Sequence, residues 1–216
     1  FGIPTVWRFD VNFVHLHTHS SFSIADGACK PEALAEKCKE LGMSSIAITD
    51  HGTVSGFYRF RDACKKYGIK PIYGIEAYFK HNDIKSHITI LAKTTQGIPE
   101  IYKLQYAAAI NGTITLEDLR NSNSDNLIIL TGCCAGPIYK LMFADHKKAY
   151  GAHTTEQAKS YIDSDWLNKG VAFVSELKEA AKNVYIEIQS DAVAIQDTAI
   201  GMLREIARQT NLKCIP

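Results

Sequence analysis

The chain has 216 residues, 46% of them hydrophobic and 22% charged, which suits one large or two small globular domains and excludes a disordered or collagen-like chain. Twenty-four Lys and Arg stand against 23 Asp and Glu, a formal charge of +1, so no global basic field gathers nucleic acid and any contact with it must be local. No apolar run approaches the ~20 residues of a membrane span, and residues 1–8 lack the basic head and long apolar core of a signal peptide.

Residues 11–16 are an apolar run of strand length. Lys30-Pro31 opens a helix, with Pro in the first turn where its missing N–H is not needed, and Gly42 closes it. Residues 45–49 read as a short buried strand, 56–67 as a helix stopped by Gly68, and 70–78 and 87–92 as two further strands. A helix over 98–110 ends at Asn111-Gly112, and Thr115-Leu-Glu-Asp118 reads as a capped short helix. Residues 127–130 form a strand and 137–143 a helix. Residues 154–182 are polar, Lys-rich and helical, 184–188 form a strand, 195–208 an amphipathic helix, and 214–216 begin one more strand. There is no Gly/Ser linker, repeat or low-complexity tract. The alternation predicts an α/β fold with a mostly parallel sheet, either doubly wound or a barrel. Both put their chemistry at the C-terminal ends of strands.

Those ends carry residues that bind metals. His15, His17 and His19 follow the first strand, and alternate residues of an extended chain share a face, so a pair of these imidazoles can chelate one cation. Asp26 comes next, then Asp50-His51 after the second strand, Glu76 in the third, His87 at the start of the fourth and Cys133 after the fifth. Each has an ordinary structural explanation singly, as a cap, a turn or a packed thiol. Together, imidazole, carboxylate and thiolate suit zinc, manganese or iron better than magnesium or calcium. Cys134 points differently from Cys133, so one of the two at most is a ligand. His81, His146 and His153 lie in polar stretches and read as surface residues, while Cys29, Cys38 and Cys64 read as packing residues on helices. The six cysteines are scattered without a C-x-x-C pair, which argues against a zinc ribbon, a redox motif or a disulfide framework and points to a reducing cytoplasm. Ser20, Ser21 and Ser23 belong to no G-x-S-x-G elbow, and Gly52-Thr-Val-Ser-Gly56 lacks the Lys of a phosphate-binding loop.

Val14-His-Leu-His-Thr-His-Ser-Ser-Phe-Ser23 with Asp26-Gly27, Ala47-Ile-Thr-Asp-His-Gly52, Gly74-Ile-Glu-Ala77, His87, Leu130-Thr-Gly-Cys133 and Tyr185-Ile-Glu-Ile-Gln189 resemble the PHP (polymerase and histidinol phosphatase) domain. Lys70-Pro-Ile72 with Gly74-Ile-Glu-Ala77, and the Tyr185 segment, are most similar to its branch in bacterial replicative DNA polymerases. The resemblance implies a distorted seven-stranded (β/α) barrel over residues 13–216, preceded by an N-terminal extension, 1–12. It implies up to three divalent ions: one on His17, His19 and Glu76, a second on Asp26 and His51, and a third on Glu76, as a bridge, with His87 and Cys133. His15 and Asp50 would support them, Asp50 by orienting His51. In the family a final Asp-x-His follows the strand that begins near Cys214, so one ligand each of the first two ions and most of the last strand are expected either to lie past Pro216 or to be missing from an incomplete site. The implied chemistry is phosphoester hydrolysis by metal-activated water held by His17, His19, Asp26, His51 and Glu76, acting as 3′–5′ exonuclease proofreading. The implied partners are a DNA 3′ end, further polymerase domains and proofreading or replisome subunits, with no membrane. Two alternatives follow from the same residues: an inert scaffold that supports the polymerase, and a free-standing phosphatase on a small ester.

Overall fold

The computed structural model describes residues 13–190 and 193–216; the expected extension, 1–12, lies outside them. In chain order the elements are α1 (Pro31–Glu40), β1 (Ser45–Ile48), α2 (Phe57–Tyr67), β2 (Lys70–His81), β3 (Ile84–Ala92), α3 (Gly97–Asn111), α4 (Leu116–Arg120), β4 (Leu127–Leu130), α5 (Pro137–Met142), α6 (His146–Tyr150), α7 (Thr155–Lys159), α8 (Trp166–Ala180), β5 (Val184–Glu187), α9 (Ala194–Thr210) and β6 (Cys214–Ile215). The punctuation follows backbone chemistry. Gly68 ends α2 at φ 68°, a conformation that costs a residue without Cβ little. Thr115 and Asp118 cap α4 reciprocally, each side chain taking a backbone N–H of the other.

Among the described residues six strands form one sheet in sequential order, β1 to β6. The β1–β2, β4–β5 and β5–β6 pairs are parallel. The β2–β3 and β3–β4 pairs are antiparallel, so the sheet is more mixed than the sequence pattern implied. The cause is a tight hairpin: His81 pairs with Ile84 across Asn82-Asp83, and Asn82 takes φ 52°, as such short connections require.

The expected first strand is not one over its described residues. Segment 13–19 runs beside β1, with Ala47 N donating to His15 O at 2.8 Å and Thr49 N to Thr18 O at 2.9 Å. The two-residue step from Ala47 to Thr49 thus matches a three-residue step from His15 to Thr18, and Thr18 N turns to the Thr49 hydroxyl instead of a carbonyl. The ladder cannot continue through that mismatch, and the sheet is a six-stranded half-barrel rather than a seven-stranded barrel. The expected long helix at 154–182 is likewise broken, because Ile162 bridges to Phe143 between α7 and α8.

The helices cover the outer face, where Phe60, Phe79, Ile88, Ile90, Phe173 and Ile206 are buried in the main core. The inner face has two storeys. Ala47, Leu91 and Leu130 pack with Leu16, Ile72, Tyr185 and Ile215 at one end, around an open cavity of about 540 Å³. Residues from both ends of the sheet meet there, as curling requires. At the other end the inner residues turn polar: Glu76, Thr89 and Glu187, each at most 2% exposed. Among the described residues no helix is long and apolar enough to cross a membrane.

Candidate metal centre

The polar storey is assembled by backbone pairing. Beyond β1 the chain still follows β2: Glu76 N donates to Asp50 O at 3.2 Å and Gly52 N to Glu76 O at 2.9 Å, which sets the His51 imidazole beside Glu76. β3 runs opposite to its neighbours, so its first half, not its end, reaches this rim and brings in His87. The loop after His19 is cinched by Asp50, which accepts from Ser20 N at 2.5 Å and Ser20 Oγ at 2.9 Å. Gly27 passes so close that a Cβ there would fall 1.7 Å from Ser20 O. This tight turn carries Asp26 back over the imidazoles.

Glu76 is the hub. Its Oε2 lies 3.2 Å from His17 Nε2, 2.9 Å from His19 Nε2 and 2.9 Å from His51 Nδ1, while Oε1 lies 3.3 Å from His87 Nδ1 and 3.6 Å from Cys133 Sγ. Asp26 Oδ2 stands 2.9 Å from both His19 Nδ1 and His51 Nε2. Yet Glu76 Oε2, His19 Nε2, His51 Nδ1 and His87 Nδ1 are buried with no aligned hydrogen-bond partner among the described residues. Buried polar atoms are seldom left so. Lone pairs that crowd one point without aligning to each other fit a cation between them. Three groups among the described residues have this geometry: His17–His19–Glu76, His19–Asp26–His51 and His51–Glu76–His87.

The electrostatics agree. Burial works against a charged His17, but the carboxylates of Glu187 and Glu76 outweigh it and raise its pKa to about 10. His51 is also raised, burial being overcome by Glu76 and Asp26. Burial would raise Glu76, but the surrounding imidazoles of His17, His19, His51 and His87 hold it far below the usual carboxylate range. The Cys133 thiol is pushed up by its hydrogen bond with Cys134, by burial and by Glu76. Asp50 is raised by burial, against the pull of Ser20. The pocket strongly favours positive charge, whether delivered as protons or as a metal ion.

His17, His19, Asp26, His51, Glu76, His87 and Cys133 therefore meet in one place, as the strand-end pattern implied. The grouping differs in detail. His19 joins Asp26 and His51, His51 joins Glu76 and His87, and Cys133 stands outside the three close groups. His15 lies outside the three close groups: it is exposed, with its ring edge-on to Phe13 at 4.8 Å. Asp50 orients the Ser20 loop through its carboxylate rather than His51. His81 is not a surface residue, since Phe173 and Glu176 of α8 bury it to 9% exposure. Cys29 is exposed and lies outside any helix.

The sequence reading gave no role to Glu187. It is 2% exposed, accepts from His17 Nδ1 at 2.6 Å and from Gln189 Nε2 at 2.8 Å, and thereby turns His17 Nε2 toward Glu76. The signal was a carboxylate at the end of a buried apolar strand.

A half-barrel with an imidazole–carboxylate cluster on its rim defines a PHP domain: the sequence profile of that domain matches residues 15–191, and the chain belongs to the family. Its relatives include the DNA polymerase III alpha subunits of Aquifex aeolicus, 31% identical over 94% of this chain, and of Helicobacter pylori, 35% identical over 94%. The chain spans 18% and 19% of those proteins, under a fifth of their length. Among solved structures, an amidohydrolase from Chromobacterium violaceum matches 93% of this chain and 84% of its own at TM-score 0.53 and 15% identity. A candidate metal-dependent phosphoesterase from Bifidobacterium adolescentis matches 93% and 85% at TM-score 0.52 and 12% identity. At such identities these two speak to the fold alone.

Proposed function

We propose that this chain is the PHP part of a replicative DNA polymerase of the DNA polymerase III alpha type, and that its rim is a divalent-metal centre for hydrolysing phosphodiester bonds at DNA 3′ ends. The observation that carries the metal centre is the convergence of three imidazole nitrogens on Glu76 Oε2 within 3.2 Å without hydrogen-bond alignment. The kinship with polymerase subunits supports the context: further polymerase domains, replisome partners and a DNA substrate.

His17, His19, Asp26, His51, Glu76 and His87 would hold the ions, with Cys133 beside them. The donor set suits zinc, manganese or iron. Bound there, the cations would lower the pKa of coordinated water and neutralise charge on the phosphoryl oxygens. The chain's own work is preparation. Glu187 fixes the tautomer of His17 by taking its Nδ1 proton in a hydrogen bond, leaving Nε2 as the ligand atom. Asp50 and Gly27 hold the turn that presents Asp26. Glu76, shared by two of the three groups, ties them together.

A second reading rests on the ion pairs of His17 with Glu187 and Glu76, which can satisfy the cluster without metal and would make it an inert scaffold. One experiment separates the two. The intact protein should release nucleotides from a single-stranded or frayed 3′ end in Mn²⁺ or Zn²⁺, and Glu76→Gln should lose both metal and activity. A variant with unchanged metal content and rate leaves the scaffold reading standing instead.

A further inference from the structure

The inner face of the β2–β3 hairpin continues past the metal centre. Its rungs are Glu76↔Thr89, Tyr78↔His87 and Lys80↔Lys85, and side-chain alternation puts all six residues on one face. The opposite face, with Ile75, Ala77, Phe79, Ile88 and Ile90, is buried in the core. The hairpin is thus firmly held from behind and bare in front.

Two features of the bare rungs face solvent beside the centre. Tyr78 is 43% exposed although it stands next to the fully buried Glu76 rung. Its ring lies nearly parallel to His51 at 6.3 Å and edge-on to His87 at 5.0 Å. It rests against the backbone of Gly52, where a Cβ would meet the ring at 2.8 Å. Next, Lys80 and Lys85 oppose each other directly, both exposed, and neither ammonium is ion-paired among the described residues. Like charges across a rung repel and cost stability. An anion lying between them would remove that cost.

Successive rungs on one face are ~7 Å apart, so the lysine rung lies ~14 Å from Glu76 with Tyr78 midway. An aromatic face followed by paired cations, leading away from a phosphodiester centre, matches the repeat of base and phosphate in a single strand. We propose that Tyr78, Lys80 and Lys85 seat the nucleic-acid strand whose scissile phosphodiester lies at Glu76: Tyr78 stacks a base, and the lysines hold a backbone phosphate. The inference rests on the phosphodiesterase reading and specifies its substrate as a strand rather than a small ester. It also accounts for how a chain of net charge +1 meets DNA, through a local pair of charges.

The test uses the intact protein in Mn²⁺ and compares kcat/KM on a single-stranded oligonucleotide with kcat/KM on bis(p-nitrophenyl) phosphate, which cannot span to the lysine rung. The ratio cancels any disturbance passed from Tyr78 to His51. Tyr78→Ala should lower the ratio about tenfold, the worth of one stacked base, and Tyr78→Trp should restore it. Fluorescence anisotropy measures binding separately. Lys80→Gln with Lys85→Gln should flatten the slope of log K against log salt by about 0.7, one phosphate contact. Lys85→Glu should raise the thermal midpoint while weakening oligonucleotide binding, a combination a purely structural lysine would not give. Ratio, salt slope and affinity unchanged in these variants overturn the seat. A wild-type protein that shows the binding effects but hydrolyses neither substrate overturns the phosphodiesterase reading and leaves the seat in place.

Discussion

Glu187→Gln isolates the least visible part of the centre. The substitution keeps the shape of the side chain and removes its charge, beside a His17 side chain that is only 10% exposed. In the cation-free protein His17 has its pKa raised from 6.5 to about 10. By linkage that shift corresponds to roughly 5 kcal/mol, shared between Glu187 and Glu76. Glu187 is the stronger of the two attractions, and its loss should cost on the order of the ~1.5–3 kcal/mol of a hydrogen bond to a charged group. The sign follows from the direction of the shift. A raised pKa gives stability that is fully present below 6.5 and is lost as pH climbs through about 10. Urea unfolding of metal-free protein should therefore show Glu187→Gln less stable by ~1.5–3 kcal/mol at pH 6, with the deficit shrinking toward zero near pH 10. An NMR titration should show the His17 pKa well below its wild-type value. A deficit that is flat across this range would refute the electrostatic account and leave only packing.

Further expectations concern the same rim. Zinc or manganese binding should release protons near pH 8 and tighten as pH rises, because His17 must give up its proton; calorimetry in buffers of different ionisation enthalpy reads this, and binding indifferent to pH contradicts it. Glu76→Gln should remove two of the three ligand groups, leaving His19–Asp26–His51, so that metal stoichiometry falls and hydrolysis drops at least a hundredfold. Asp50→Ala strands the buried Ser20 N–H and hydroxyl and should cost ~1–3 kcal/mol in denaturant unfolding, with weaker metal binding at Asp26. Gly27→Ala drives a Cβ into the Ser20 carbonyl and should displace Asp26 from both imidazoles, seen as loss of the metal held there.

What the sequence revealed and what it hid divide along range. Helix ends at Gly68 and Gly112, the cap at Thr115 and the ligand types at strand ends are local signals, and they were legible. The reversal of β3 was half-legible: Asn82-Asp83 is hairpin chemistry, but the polar stretch around it masked the buried Phe79 and Ser86 on either side. His81 looked exposed because Phe173, which covers it, is supplied by α8, far along the chain. His15 and His17 share a strand-like spacing, yet His17 is held by Glu187 and Glu76 while His15 stays exposed against Phe13, a difference set by partners far along the chain. Glu187 was hidden because its partner, His17, is 170 residues away.

That last separation gives the centre an order of assembly. Glu76 and His87 sit on one hairpin whose strands pair from His81↔Ile84 back to Gly74↔Leu91, and contacts of such short range form early. His17 waits for Glu187 on β5, the element that closes the longest loop in the site. During synthesis most of the ligands are therefore translated well before the residue that turns His17 toward them. Pulse-labelled hydrogen exchange should protect Ala77 and Ile88 before Ile186. A nascent chain can gather imidazoles around Glu76 early, but it acquires a correctly aimed His17 only once β5 has docked.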